Sequence, residues 1–274
     1  MRAHGALCLL GASVLSTSAA LGSGLPFCVP HRDTGSGKVV RVDSLGALVL
    51  ADGRVVKLEG LRLAGVGERA PEAFRHRVLT VLSALARTNV AIATCPPRED
   101  RYGRIRAQVL LSAPKQIWLQ EELLKRGLAR VSIAPDRREC ARALYAAEQS
   151  ARMARAGIWG SPAYAIRSPT SISGADLGTF QIVEGEVLNA AVRGGRAYLN
   201  FGRNWRTDFT VTISPQDMKS FTAAGIDPRS YAGKRVRVHG SIERMNGPEI
   251  EAPVPEAIEI VSSASPGPAQ DGAR

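Results

Sequence analysis

The hydrophobic positions of this chain fall into three regimes. The first is one continuous run over residues 6–15, preceded by Arg2 and followed by the small residues of 16–20. That order of charge, apolar core and small side chains predicts a secretory signal peptide over residues 1–24. The core is too short for a comfortable membrane span, and an uncleaved anchor is the alternative. From Lys38 the second regime sets in as short apolar runs, predicting strands over 38–43, 47–50 and 55–58. Asp52-Gly53 between the last two is a strong hairpin signal. Helix-spaced apolar residues (Phe74, Val78, Val81, Leu82, Leu85) predict a helix over 70–86. Strands over 90–94 and 105–111 follow, then helices over 117–126 and 137–156, closed by Gly127 and Gly157. Phe74, Trp118, Tyr145 and Trp159 fall on apolar helix faces and read as core.

A Ser/Pro/Gly-rich stretch over 165–178 reads as a linker. The third regime beyond it predicts strands over 179–189, 196–201, 208–213, 235–242 and 257–261, with a short helix over 215–224. The fold class expected is α+β, mainly β: a first domain over 38–164 and a small antiparallel barrel over 179–262. The Pro/Ala/Ser-rich residues 263–274 read as a disordered tail.

Composition changes this picture little, but charge changes it more. The chain has 274 residues, 45% hydrophobic and 22% charged, which excludes pervasive disorder and coiled-coil readings. Its formal net charge of +11 points to an anionic partner. That excess is confined to one region, with 22 basic against 12 acidic residues over 38–164 and 12 against 12 over 165–274. If the leader is removed, Cys8 goes with it. Cys28, Cys95 and Cys140 then allow one disulfide and one remaining thiol. No Cys/His spacing suggests zinc.

Four blocks in the first domain carry chemistry. They are Leu50-Ala-Asp-Gly-Arg54 through Lys57 to Gly60-Leu61, then Asp100-Arg101-Tyr102-Gly103-Arg104, then Leu123-Leu124-Lys125-Arg126-Gly127-Leu128-Ala129, and last Glu148 with Gly157-Ile158-Trp159. In order and spacing these resemble the thermonuclease (staphylococcal nuclease-like) family over roughly residues 38–164. The resemblance implies a five-stranded OB-type barrel with three helices that hydrolyses nucleic-acid phosphodiesters with calcium. It also implies carboxylates for the metal, a glutamate base and two phosphate-bracing arginines. A cation held by oxygen ligands and a pair of guanidinium forks both suit a dianionic transition state.

Residue by residue the pattern is broken. Arg104 falls on one family arginine, and the other falls on Lys57, which keeps the charge without the bidentate fork. The first metal aspartate falls on Gly46 and the second on Arg62. A shifted register makes Arg62 the second arginine and Glu72 the base, still without a metal aspartate. Asp100 with Arg104 also reads as a turn closed by an ion pair, and Lys57, Arg62 and Arg69 also read as a solvated basic face. The resemblance further implies that Cys95 and Cys140 lie close enough to pair, leaving Cys28 over.

Residues 198–209 of the second domain interleave aromatics and arginines, and the domain resembles a further OB-fold barrel. OB-folds bind single strands by stacking beside a basic groove, which makes Arg203, Trp205 and Arg206 candidates. The domain's zero net charge favours a scaffold or protein-binding role instead.

The function expected is an exported, periplasmic or secreted protein that binds nucleic acid or another polyanion, with calcium-dependent hydrolysis lost or weakened. Candidate catalytic residues are Arg104, Lys57 and Glu72, and candidate nucleic-acid contacts are Arg104, Lys57, Arg62, Arg101, Arg203, Trp205 and Arg206. No cofactor is expected, and calcium enters only if the family activity is retained. The alternatives are an active nuclease with altered metal ligation and an envelope protein-interaction scaffold.

Overall fold

The computed structural model describes Cys28, residues 34–111 and residues 116–261. The expected leader over 1–24 and tail over 263–274 lie outside the described residues. The chain opens with β1 (Thr34–Val42), β2 (Leu48–Leu50), β3 (Val55–Leu58) and β4 (Leu61–Leu63), followed by α1 (Glu72–Ser83). β5 (Asn89–Ala93), β6 (Ile105–Leu111) and β7 (Ile117–Trp118) come next, then α2 (Leu119–Lys125), β8 (Ala129–Val131) and α3 (Ala141–Met153).

Five of these strands close on themselves. The order is β3-β2-β1-β5-β6, and β3 also pairs with β6, the only parallel rung, so the result is a closed mixed barrel. The alternation of β3 produces it: Val56 and Leu58 are buried while Val55 and Lys57 are not fully covered. Helices cover one end. α1 buries Val78 and Leu82, and α3 buries Leu144, Ala147 and Ala151 at helical spacing. Gln120 of α2 ties that helix to the barrel, accepting from Val109 N at 3.1 Å and donating to Ala107 O at 2.8 Å. Trp118 is buried in this core, and Phe74, Tyr145 and Trp159 pack against it.

The disulfide corrects the expected pairing. Cys28, not Cys95, is bonded to Cys140, across 112 residues. Cys95 and Cys140 do line one small cavity, so the proximity implied by the resemblance is present. The pairing differs because Cys28 packs against the first core with its Cα 4.9 Å from that of Cys140. Arg137 meanwhile donates to the carbonyls of Cys95, Pro96 and Pro97 and anchors that loop separately.

The segment over 165–178, read as a linker, is tied to the strand that follows it. Arg167 brackets the next strand, donating its N–H to Ile182 O at 2.9 Å and accepting from Glu184 N at 2.9 Å, and its guanidinium pairs with Asp176. The second unit contains β9 (Phe180–Glu186), β10 (Asn189–Arg193), β11 (Arg196–Asn200), β12 (Thr210–Ile213), α4 (Met218–Ala223), β13 (Arg235–Ser241), β14 (Glu243–Arg244), β15 (Pro248–Glu251) and β16 (Ile258–Ile260). Its ladders among the described residues form two sheets, β10-β11-β12-β15-β14 and β16-β13-β9, around a second core that includes Phe209, Phe221 and Tyr231. This corrects the expected wholly antiparallel arrangement, since β12 and β15 run parallel. Such a pair needs a crossover, and the chain between them supplies one through α4 and β13.

The two units are bound along a charged seam. Arg130, buried, donates to Phe180 O at 2.9 Å. Arg138 grips Glu256 with both nitrogens at 2.8 and 2.7 Å, and Arg152 bridges Glu148 to Glu259. His239 Nε2 lies 2.7 Å from Glu259, and its ring packs edge-on to Tyr145.

Candidate functional site

Lys57 from β3, Arg62 from β4 and Arg104 from the turn before β6 line one open cavity of about 240 Å³. The turn forms because Asp100 Oδ1 accepts from the backbone of Tyr102 at 2.9 Å and of Arg104 at 3.1 Å, with Gly103 at φ 72°. Asp100 Oδ2 accepts from Arg104 Nε at 2.8 Å, so the structural reading of this pair holds alongside the functional one. Burial pushes the Asp100 carboxyl up, but hydrogen bonds from Arg104 and Tyr102 hold it below its ordinary value. Arg104 is thereby fixed at the cavity edge with part of its charge answered.

Arg62 is held in a similar way. Its Nε donates to Glu68 Oε1 at 2.8 Å, and the same oxygen receives Arg130. Glu68 Oε2 accepts from the Tyr164 hydroxyl at 2.9 Å. Lys57 alone of the three cations has no acidic partner among the described residues. The remaining lining is small or apolar and includes Gly46, Leu61, Leu63 and Gly67.

Among the described residues no carboxylate lines this cavity. A hard divalent cation takes six or more oxygen ligands, and three cationic side chains repel it, so the residues present do not fit the calcium that the family resemblance implies. Asp43, the nearest acid in sequence to Gly46, spends its Oδ1 on the backbone of Leu45 and Ala47. Gly46 itself sits at φ 78°, and a Cβ there would lie 2.2 Å from Leu63 Cδ1. The space an aspartate would need at that position is filled by leucine.

Glu72 is not brought to this cavity. It stands exposed in the first turn of α1, hydrogen-bonded to Arg75 Nε at 2.8 Å, and that bond holds its carboxyl below the ordinary range. A lowered carboxyl is a weaker general base. Arg101 is exposed and does not line the cavity; its guanidinium lies 4.9 Å from the Tyr102 ring centroid, with Arg104 at 5.3 Å. Tyr102, 67% exposed, belongs to the Asp100–Arg104 block but was not named there as a candidate contact. Its signal was an aromatic residue between two arginines in a polar turn.

A second groove of about 340 Å³ shares Arg62 and Gly67 with the first and runs onto the seam, where Arg69, Arg130 and Gln181 join its lining. The second-unit candidates separate from all of this. Trp205 lines a different cleft with Arg206 stacked at 5.0 Å, while Arg203 is exposed and lines neither. Among the described residues one group could approach a metal, Glu148, His239 and Glu259 in the seam. Glu148 is already held by Val131 N and Arg152, and Glu259 by His239 and Arg152, which is an ion-pair network.

Residues 64–161 match the family model described as Staphylococcal nuclease homologue. No curated protein matches the chain. The matched segment takes in Glu72, Arg101 and Arg104 and begins after Gly46, Lys57 and Arg62. The closed barrel with its covering helices agrees with that match, and residues 64–161 are a staphylococcal nuclease-like domain within this longer chain.

Proposed function

We propose that the basic groove at the mouth of the closed barrel, built by Lys57 and Arg62 ahead of the matched segment and Arg104 within it, binds the phosphodiester backbone of nucleic acid without calcium-dependent hydrolysis. The observation that carries this reading is the lining itself: Lys57, Arg62 and Arg104 converge and no carboxylate joins them. Lys57 supplies an unshared point charge, and Arg62 and Arg104 supply guanidinium groups steadied by Glu68 and Asp100. The continuing groove past Arg69 gives a strand somewhere to run, and exposed Tyr102 offers a face for a base. Among the described residues this cavity offers neither a metal cage nor a free base, since Glu68 in the adjoining groove is held by Arg62 and Arg130. Export to an oxidising compartment belongs to this reading, since the Cys28–Cys140 disulfide persists there.

The test is binding of labelled oligothymidylate and oligouridylate to the whole protein, with and without chelator, beside a nuclease assay in calcium, magnesium or manganese. Binding should survive chelation and weaken steeply with salt. Lys57→Ala should weaken it several-fold and reduce the salt slope by roughly 1. Metal-dependent cleavage that is lost in Arg104→Ala would replace this reading with an active nuclease of altered ligation.

A further inference from the structure

A cleft of about 500 Å³ lies on the outer face of the larger sheet of the second unit, within the ordinary size range of small-ligand sites. Its floor is built by strand register. Asn189 of β10 stands opposite Asn200 of β11, Asn200 opposite Thr210 of β12, and Thr210 opposite Glu249 of β15. Four polar side chains therefore form one row across four strands. One rung along, Ala191 faces Tyr198, and the small side chain leaves room beside the ring.

The walls are two loops. One is the turn carrying Trp205, 56% exposed, and the other is the hairpin with Asn246 and Gly247. They are wedged together, since a Cβ on Gly247 would lie 2.7 Å from the backbone of Thr207 and Asp208. Glycine at 247 is what lets the second wall close on the first.

Hydrogen-bonding capacity in the cleft is largely unspent. Thr210 donates to Asn200 Oδ1 at 3.3 Å and Thr212 donates to Glu249 Oε1 at 2.8 Å, which leaves the Asn200 amide N–H groups and the second Glu249 oxygen open. Asn189, Asn246, Arg193 and the Tyr198 hydroxyl make no side-chain hydrogen bond to the described residues. The lining residues include one cation, Arg193, and one anion, Glu249, and Arg206 stacks on the Trp205 ring at the rim.

We propose that this cleft binds a neutral oligosaccharide. Adjacent sugar hydroxyls each donate and accept, which asparagine amides answer with both functions and the Arg193/Glu249 pair answers with one each. The C–H face of a sugar ring matches the face of Trp205 opposite the stacked Arg206. A phosphate chain fits less well, because single-strand grooves are cationic while Glu249 stands in the floor of this cleft and its cations are only Arg193 and, at the rim, Arg206. The site stands independently of the groove at Lys57.

The experiment titrates the whole protein with cellotetraose, maltotetraose, chitotetraose and mannotetraose, followed by tryptophan fluorescence and calorimetry. Oligothymidylate serves as competitor. At least one sugar should bind, shift the Trp205 emission, resist added salt and remain bound in the presence of oligothymidylate. Trp205→Ala and Asn200→Ala should each weaken that binding about tenfold with the circular dichroism spectrum unchanged. Trp205 is largely exposed, so its removal leaves the core intact. The proposal is overturned if none of the four binds, if both variants bind as the parent does, or if oligothymidylate takes the cleft and is displaced by salt.

Discussion

Lys57, Arg62 and Arg104 differ less in charge than in what already holds them. Arg104 leans on Asp100 and Arg62 on Glu68, whereas the Lys57 ammonium meets no acid among the described residues. The sequence offered the Asp100–Arg104 pair as a turn closed by an ion pair, but the hold of Glu68 on Arg62, six positions away in a loop, carried no periodic signal. Gly46 teaches the opposite lesson. Its place in the family pattern marked a missing ligand, and the structure shows that the loss is packed in, with Leu63 occupying the space. Gly46→Asp is therefore expected not to restore calcium binding. It should instead destabilise the fold by about 1 kcal/mol, from the left-handed backbone and the displacement of the Leu63 methyl together. Calcium titration and urea unfolding of this variant check both halves, and a calcium-stabilised Gly46→Asp protein would refute the account.

At the scale of elements, regular patterns were legible and short or distant pairings were not. The run over 55–58 gave β3 to the residue, and 105–111 gave β6, because each is a mainly apolar run that starts directly after a Gly-Arg turn. β4 and β8 were missed, since three residues apiece leave no period to detect. β10 was missed because its Asn-Ala-Ala-Val-Arg pattern has little apolar contrast, although Gly194-Gly195 marks the turn that follows. The disulfide lay beyond pattern altogether, because three thiols near one another leave the partner to local packing. Closing a loop of 112 residues constrains the unfolded chain strongly. Cys28→Ser and Cys140→Ser should each lower stability by about 2 to 4 kcal/mol, whereas Cys95→Ser should leave the disulfide in place. Denaturant melts with peptide mapping read this directly, and equal losses for Cys95→Ser and Cys28→Ser would contradict the pairing.

Taken whole, the molecule is two cores joined by charge. Glu259 sits at the centre of the seam, 20% exposed at its side chain. Burial pushes its carboxyl up, but the hydrogen bond and charge of His239, with Arg152 and Arg237, outweigh it and bring the pKa from 4.5 to about 2. A carboxyl lowered in the folded state contributes stability above its unfolded pKa and loses it as pH falls through the folded value. About 3 kcal/mol should therefore disappear between roughly pH 4.5 and 2. Buried Glu148, raised by desolvation, opposes part of that loss. Urea midpoints over this range should fall more steeply in the parent than in Glu259→Gln, and parallel curves would remove Glu259 from the account. Glu68 shows what the shared seam implies for evolution of the groove. One carboxylate there restrains a groove arginine and satisfies a buried arginine that also reaches Phe180 O. Glu68→Gln should tighten polyanion binding while costing about 3 kcal/mol of stability. Paired measurements of affinity and melting would show the trade, and a variant improved in both would disprove it. Avidity and cohesion draw on the same side chain, so selection cannot raise one at this position without lowering the other.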